Sequence, residues 1–218
     1  MQRPIRSYVL RQGRTTPAQA RALETLLPKY GIAFSAEKIS SPRGLILEIG
    51  SGMGETTIEI AKLHPELDFV AVEVHGPGVG SLLNAIDREK LTNLRVIRHD
   101  ALDVLEDMVA EGTLAGIHLF FPDPWPKKRH HKRRLVQREF AALAASRLMP
   151  GGILHAATDW PDYADWMEEV FRNEALLEPA PAGLIARPVT KFESRGRRLG
   201  HPVRDLVFRR KGKAPAAR

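Results

Sequence analysis

The chain contains no cysteine, which excludes disulfide bonds, thiolate metal sites and a cysteine nucleophile, and agrees with a reducing compartment. Long apolar runs are missing as well. Nowhere do about eighteen uninterrupted apolar residues occur, so no membrane span is expected, and the basic start MQRPIRSYVLRQGR lacks the apolar run of a signal peptide. Acidic residues are the minority charge: 26 Asp and Glu against 33 Lys and Arg leave a formal net charge of +7, which favours a polyanionic partner, nucleic acid first. The remaining composition, 43% hydrophobic over 218 residues, suffices for one sizeable core and one main domain. A soluble, cytoplasmic monomer or homodimer without an obligate protein partner is the expectation.

Residues 1–40 read as a basic N-terminal extension, 41–210 as the main domain and 211–218 as a flexible basic tail. Within the extension, TPAQARALETLLPKYG predicts a short helix with Thr16 as N-cap and Pro17 in its first turn. From Arg43 onward, short apolar runs read as buried strands: LILEI at 45–49, FVAVEV at 69–74, LRVI at 94–97, IHLFF at 117–121 and ILHAA at 153–157. Between most of them, ETTIEIAKLH, GVGSLLNAIDREKL, LDVLEDMVAE and QREFAALAASRLM carry apolar residues at helical steps. Strand and helix in alternation imply a mainly parallel sheet, because parallel strands need crossover connections, and hence a Rossmann-like α/β fold. Two later runs, 186–192 and 203–210, predict a terminal antiparallel pair.

Ligands of such sheets bind at the carboxyl ends of the strands, so the residues after each apolar run carry the function. After the first strand comes EIGSGMGE, in which Gly50, Gly52 and Gly54 allow a tight turn and close backbone approach to a ligand. The spacing is G-x-G-x-G with Glu48 just inside and Glu55 just after. Carboxylates there disfavour the diphosphate of a dinucleotide and suit a ligand bearing an amine and a sulfonium, such as S-adenosylmethionine. Glu73 ends the second strand at a ribose-binding position. Asp100, after the third, is either an acceptor for an adenine amine or a helix N-cap.

After the fourth strand, FPDPWPKKRHHKRR at 121–134 combines a proline-bracketed acid with a dense basic run. This segment, the EIGSGMG loop, VEVHGPGVG at 72–80 and TKFESRGRRLGH at 190–201 together resemble the bacterial tRNA (guanine-N7-)-methyltransferase family. The resemblance implies a class I S-adenosylmethionine-dependent methyltransferase fold. It also implies methyl transfer to N7 of the variable-loop guanine, nucleotide 46, with S-adenosylhomocysteine as product. By motif matching it implies that Glu48, Glu73, Asp100 and Asp123 contact the cofactor or lie at its methyl end. Lys127, Asp159 and Thr190, Lys191, Phe192 and Glu193 would contact substrate. One departure is Arg204, where the family is expected to carry an aromatic residue.

Guanine N7 carries an in-plane lone pair, so its methylation needs alignment and charge stabilisation rather than a strong base. Asp123 is the catalytic candidate. Held between Pro122 and Pro124, it can orient the guanine edge or stabilise the cationic product. Trp125 either stacks on the base or supports the loop. Lys128, Arg129, His130, His131, Lys132, Arg133 and Arg134 read as a phosphate-binding face. Arg11, Arg14, Arg195, Arg197 and Arg198 extend it. Paired histidines without cysteine make no zinc signature, and no metal is expected. Asp159 is either a substrate contact or a cap for the helix in PDYADWMEEV. The rival readings are a non-catalytic RNA-binding protein, which intact Glu48, Glu73 and Asp123 oppose, and a nucleotide-dependent oxidoreductase, which Glu48 and the loop spacing oppose.

Overall fold

A computed structural model describes residues 6–8, 13–181, 187–188, 193 and 202–212 of the chain. The run LILEI is buried at every position as β1 (Leu45–Ile49), as a central parallel strand covered on both faces must be. It pairs in parallel with β2 (Asp68–Val72) on one side and β4 (Leu114–Phe120) on the other. β3 (Leu94–Ile97) extends the sheet beyond β2, and β5 (Leu148–Thr158) lies beyond β4. Among the described residues the sheet has seven strands in the order β3-β2-β1-β4-β5-β7-β6, with β6 at Leu177–Pro179 and β7 at Arg204–Arg210. The order reverses between β1 and β4, which is where the crevice for a ligand opens.

β7 runs antiparallel to both neighbours, β5 and β6. The terminal antiparallel pair is therefore present, but its short member is Leu177–Pro179. The expected run 186–192 is described only at Arg187 and Pro188, which lie outside any strand. Residues 213–218 of the expected tail, and Arg11, Arg195, Arg197 and Arg198, lie outside the described residues. Arg204, the departure from the family pattern, ion-pairs from β7 to Asp165 and Glu168.

Helices cover both faces. On one side α3 (Glu55–Leu63) and α4 (Gly76–Glu89) bury Ile58, Ile60, Leu82, Leu83 and Ile86 against Phe69, Leu94 and Val96. On the other, α6 (Arg138–Arg147) and α7 (Pro161–Arg172) bury Phe140, Tyr163, Met167 and Phe171. Each such side chain contributes about 1.5–3 kcal/mol by leaving water. The helix expected after β3 forms one turn, α5 (Ala101–Asp103), and then a π-helical turn at Val104–Met108.

The extension packs as part of the same body. Thr16 and Gln19 form a reciprocal capping box at the start of α1 (Pro17–Thr25), which is followed by α2 (Leu27–Tyr30). Ala22 and Tyr30 are buried in the core cluster that holds α4. Ile32 N donates to the Val96 carbonyl, covering the edge of β3. Among the described residues no helix is long and apolar enough to cross a membrane.

Candidate active site

The carboxyl ends of β1, β2, β3 and β4 surround a cleft lined by Gly50, Glu73, Asp100, Phe120 and Asp123. The chain leaves β1 through Gly50 at φ 73° and Gly52 at φ 56°, left-handed values that an L side chain resists, and a Cβ at either glycine would meet nothing within 4 Å. Gly54, left-handed too, caps α3. The loop is thus a turn with open space beside Gly50 and Gly52.

Glu48 is buried beneath this loop, and its Oε2 has no hydrogen-bond partner. Burial pushes its carboxyl up to about 7, the Thr57 hydroxyl opposing and the charge of Glu73 adding. Glu73 itself clamps the loop. Its Oε2 accepts from Gly52 N and its Oε1 from His75 N, both at 2.8 Å. A carboxylate accepts about four hydrogen bonds, so capacity for a ribose hydroxyl remains. Asp100 is the N-cap of α5, accepting from Leu102 N at 3.0 Å. The sequence left cap and adenine acceptor open; the cap occupies one oxygen.

Next in register to Glu48 on β4 is His118, fully buried with neither ring nitrogen bonded. Burial, helped by the charge of His155, brings it down to about 3. It is neutral at any working pH and packs on the Phe120 ring.

Beyond β4 the Pro-Asp-Pro turn is bracketed by two aromatic residues in left-handed conformation, Phe121 at φ 53° and Trp125 at φ 46°. Each precedes a proline. Such backbone costs about 1–3 kcal/mol per residue and persists only where surroundings enforce it. Phe121 N is held by the Ala157 carbonyl on β5 at 2.8 Å. Trp125 Nε1 donates to the Ser7 carbonyl at 2.9 Å, and the Arg133 guanidinium covers its ring at 4.1 Å. Of its two readings, loop support is the one these contacts describe. Between the two aromatics Asp123 is exposed to the cleft and makes no hydrogen bond or ion pair among the described residues.

The basic run forms a 3₁₀-helix, Lys128–Arg133, beside this turn. Lys127, Lys128, Arg129 and Lys132 are exposed, whereas His130, His131 and Arg133 are half-buried. Arg134 departs from the expectation of a phosphate contact. It is buried, donates to the Pro124 carbonyl at 2.9 Å, pairs with Asp162 and lies over the Tyr163 ring. The reason is geometric: the 3₁₀-helix ends at Arg133, and the next side chain turns inward.

Asp159 follows β5, half-buried, without a hydrogen bond or ion pair among the described residues. It does not cap α7, whose N-cap is Trp160 with no side-chain bond. Glu193 is buried and paired with Arg187; Thr190, Lys191 and Phe192 lie outside the described residues. Residues that sequence reasoning missed are Ser7 and Tyr8, which line the cleft from the N-terminal segment. The Tyr8 phenol is raised by burial and by the charge of Asp100 beside it. No local spacing announces them. No cluster of three or more potential ligands for a metal ion occurs among the described residues.

Known proteins resemble this chain in sequence and in fold. The family model described as "Putative methyltransferase" matches residues 42–206. Curated relatives named tRNA (guanine-N(7)-)-methyltransferase include one from Nitrosomonas eutropha, 57% identical over 94% of this chain and 96% of its own. Another, from Neisseria meningitidis serogroup B, is 53% identical over 96% of this chain and 92% of its own. Among solved structures, the aminoglycoside resistance methyltransferase NpmB1 and the 16S rRNA methyltransferase KamB each superpose with a TM-score of 0.54 at 17% identity. They cover 91% and 93% of this chain and 95% and 97% of theirs, a likeness of fold alone. With more than half of its residues identical to such relatives over nearly its whole length, the chain belongs to the tRNA (guanine-N7-)-methyltransferase family.

Proposed function

We propose that this protein transfers the methyl group of S-adenosylmethionine to N7 of the variable-loop guanine of tRNA, nucleotide 46, leaving 7-methylguanosine and S-adenosylhomocysteine. The observation that carries the reading is Asp123, a carboxylate without a partner among the described residues on a strained turn, with an acid-lined cleft on one side and an exposed basic helix on the other. The relatives' names supply the base and the class of RNA. Cytoplasmic location accords with a tRNA substrate.

The residues present fit such a cofactor. Glu48 Oε2 and Ser51 Oγ are buried polar atoms without partners, both at the glycine loop. Glu48 with Gly50, Gly52 and Gly54 would hold its amino-acid end, Glu73 its ribose and Asp100 its adenine amine. Bound there, S-adenosylmethionine supplies an electrophilic methyl group on a positive sulfonium.

Guanine N7 attacks with a free lone pair, so Asp123 removes no proton. It accepts from N1–H or the exocyclic amine, which fixes the base in line, and its charge favours the cation that develops on the purine. Lys127, Asp159 and the 190–193 segment complete the substrate side. Lys128, Arg129 and Lys132 grip phosphates, with His130, His131 and Arg133 behind them. N7 lies in the deep groove of A-form RNA, so the guanine must be drawn out of its tertiary contacts to reach the turn.

The test is transfer of labelled methyl to unmodified tRNA, followed by mass mapping of the nucleosides. Label in 7-methylguanosine at nucleotide 46 is expected. Label at another atom or nucleotide, or tRNA binding without any transfer, overturns the reading.

A further inference from the structure

Glu193 of the proposed substrate segment is held by a buried charged cluster beneath the Pro-Asp-Pro turn, whose other members, Arg187, Asp205 and His155, take no part in the mechanism above. Arg187 carries a charge, yet its side chain is only 4% exposed. Its guanidinium meets Asp205 on β7 in two contacts, Nε to Oδ1 at 3.1 Å and Nη2 to Oδ2 at 3.2 Å, and it pairs with Glu193 through Nη1. Asp205 Oδ1 also accepts from His155 Nε2 on β5 at 2.8 Å. Burial works to raise the Asp205 carboxyl, but its bonds with His155 and Arg187 outweigh this and hold it well below the usual range. The cluster is therefore fixed on one side by two strands of the sheet.

Its other side faces the reacting centre. The Arg187 guanidinium lies 5.3 Å from the Phe121 ring centroid and 5.7 Å from that of Phe120. Phe121 is the left-handed residue from which the turn departs, two positions before Asp123. Its backbone is tethered to Ala157 and its ring to Arg187, so the direction of the turn is set from behind by these two contacts. Buried ion pairs are weak sources of stability and can often be replaced by apolar groups without loss. A planar, bidentate cation between two carboxylates and two rings does something an apolar residue cannot: it fixes angles.

We propose that Arg187 is a positioning residue for methyl transfer, holding Glu193 of the substrate segment and the Phe121 root of the catalytic turn in one geometry. The inference rests on the reading that Asp123 and Glu193 meet the guanine. Misplacing a reacting group by about 1 Å costs about a hundredfold in rate, so small shifts transmitted through Phe121 are enough.

Arg187→Lys keeps the charge and loses the fork. Its kcat on tRNA should fall at least about thirtyfold, with KM for S-adenosylmethionine within about threefold and the melting temperature near that of the parent. Hydrogen exchange of the peptide spanning residues 119–125 should accelerate, while peptides of α6 stay unchanged. Asp205→Asn, which leaves Arg187 paired with Glu193, should shift both readouts in the same direction, and it serves if Arg187→Lys fails to fold. Unchanged kcat and unchanged exchange overturn the proposal. So does exchange that rises equally across the sheet together with a lower melting temperature, the sign of a merely structural role. If the parent enzyme methylates no tRNA, the functional reading falls by itself, and the exchange measurement still decides whether Arg187 sets the turn.

Discussion

Asp123 lines the cleft and Glu48 lies buried beneath its glycine loop, and these surroundings give the two carboxylates opposite characters. Asp123 is exposed and unpaired among the described residues, so its removal should cost chemistry and not folding: Asp123→Ala is expected to lower kcat by about 10²–10³-fold while tRNA affinity stays near that of the parent. A filter-binding titration beside single-turnover kinetics separates the two, and unchanged turnover removes Asp123 from the mechanism. Glu48 titrates near 7 because it is buried. Below that pH it is neutral and poorly suited to a cationic ligand. Affinity for S-adenosylmethionine should rise about tenfold from pH 6 to pH 8, the ratio of ionised fractions for a group titrating near 7, and Glu48→Gln should flatten the profile. For folding the sign is opposite. The native state holds a proton that the unfolded chain has lost between about pH 4.5 and 7, so this group's contribution to stability is full below that window and lost as pH rises through it. Calorimetry across this range reads both effects, and a flat binding profile in the parent would separate Glu48 from the cofactor. Asp123 was legible because prolines on both sides of an acid have few other uses. Arg134 was not, since seven neighbouring basic and histidine residues look alike in sequence and only the distant Asp162 and Tyr163 distinguish it.

Among the elements, the parallel strands were readable because buried strands are continuous apolar runs with sharp ends, and LILEI and LRVI form at the positions expected. β6 was not, because three residues, Leu-Glu-Pro, carry no period, and its pairing is chosen by β7. The π-turn after Asp103 also lacks a compositional mark. α4 shows why its glycine-rich start, HGPGVG, is built as it is. A Cβ on Gly78 would lie 2.5 Å from the Gly52 carbonyl, and one on Gly80 would lie 2.6 Å from the Gln19 carbonyl. One helix thus docks the glycine loop and α1 through two neighbouring close approaches. Alanine gains about 0.5–1 kcal/mol of helix propensity at either site, less than the roughly 1–3 kcal/mol that overpacking against backbone costs. Gly80→Ala should therefore lower the urea midpoint and leave cofactor affinity nearly unchanged. Gly78→Ala should displace Gly52 from Glu73 and weaken S-adenosylmethionine binding about tenfold or more. Affinity equal to the parent's in Gly78→Ala would contradict the docking role of α4.

Across the whole molecule, charge is segregated rather than mixed near the site: Glu73, Asp100 and Asp123 line the cleft with Glu48 buried beneath its glycine loop, and Lys127, Lys128, Arg129 and Lys132 are exposed beside it. A polyanion approaching the net charge of +7 is drawn to the basic side, while the acids repel phosphate from the cleft. Counterion release makes this measurable. Each phosphate contact contributes about 0.7–0.9 to the slope of log K against log salt. Replacing Lys128, Arg129 and Lys132 together by alanine should reduce the slope for tRNA by about 2–3 and leave the melting temperature close to the parent's. Arg134→Ala should do the reverse. It leaves the Pro124 carbonyl without its donor and removes the cation over Tyr163, so stability should drop by about 1–3 kcal/mol while the salt slope holds. The two variants differ by only a few positions along one basic run, so a shared phenotype would show that burial does not sort their roles. A slope that stays at the parent's value in the triple variant would place the RNA on another face of the protein.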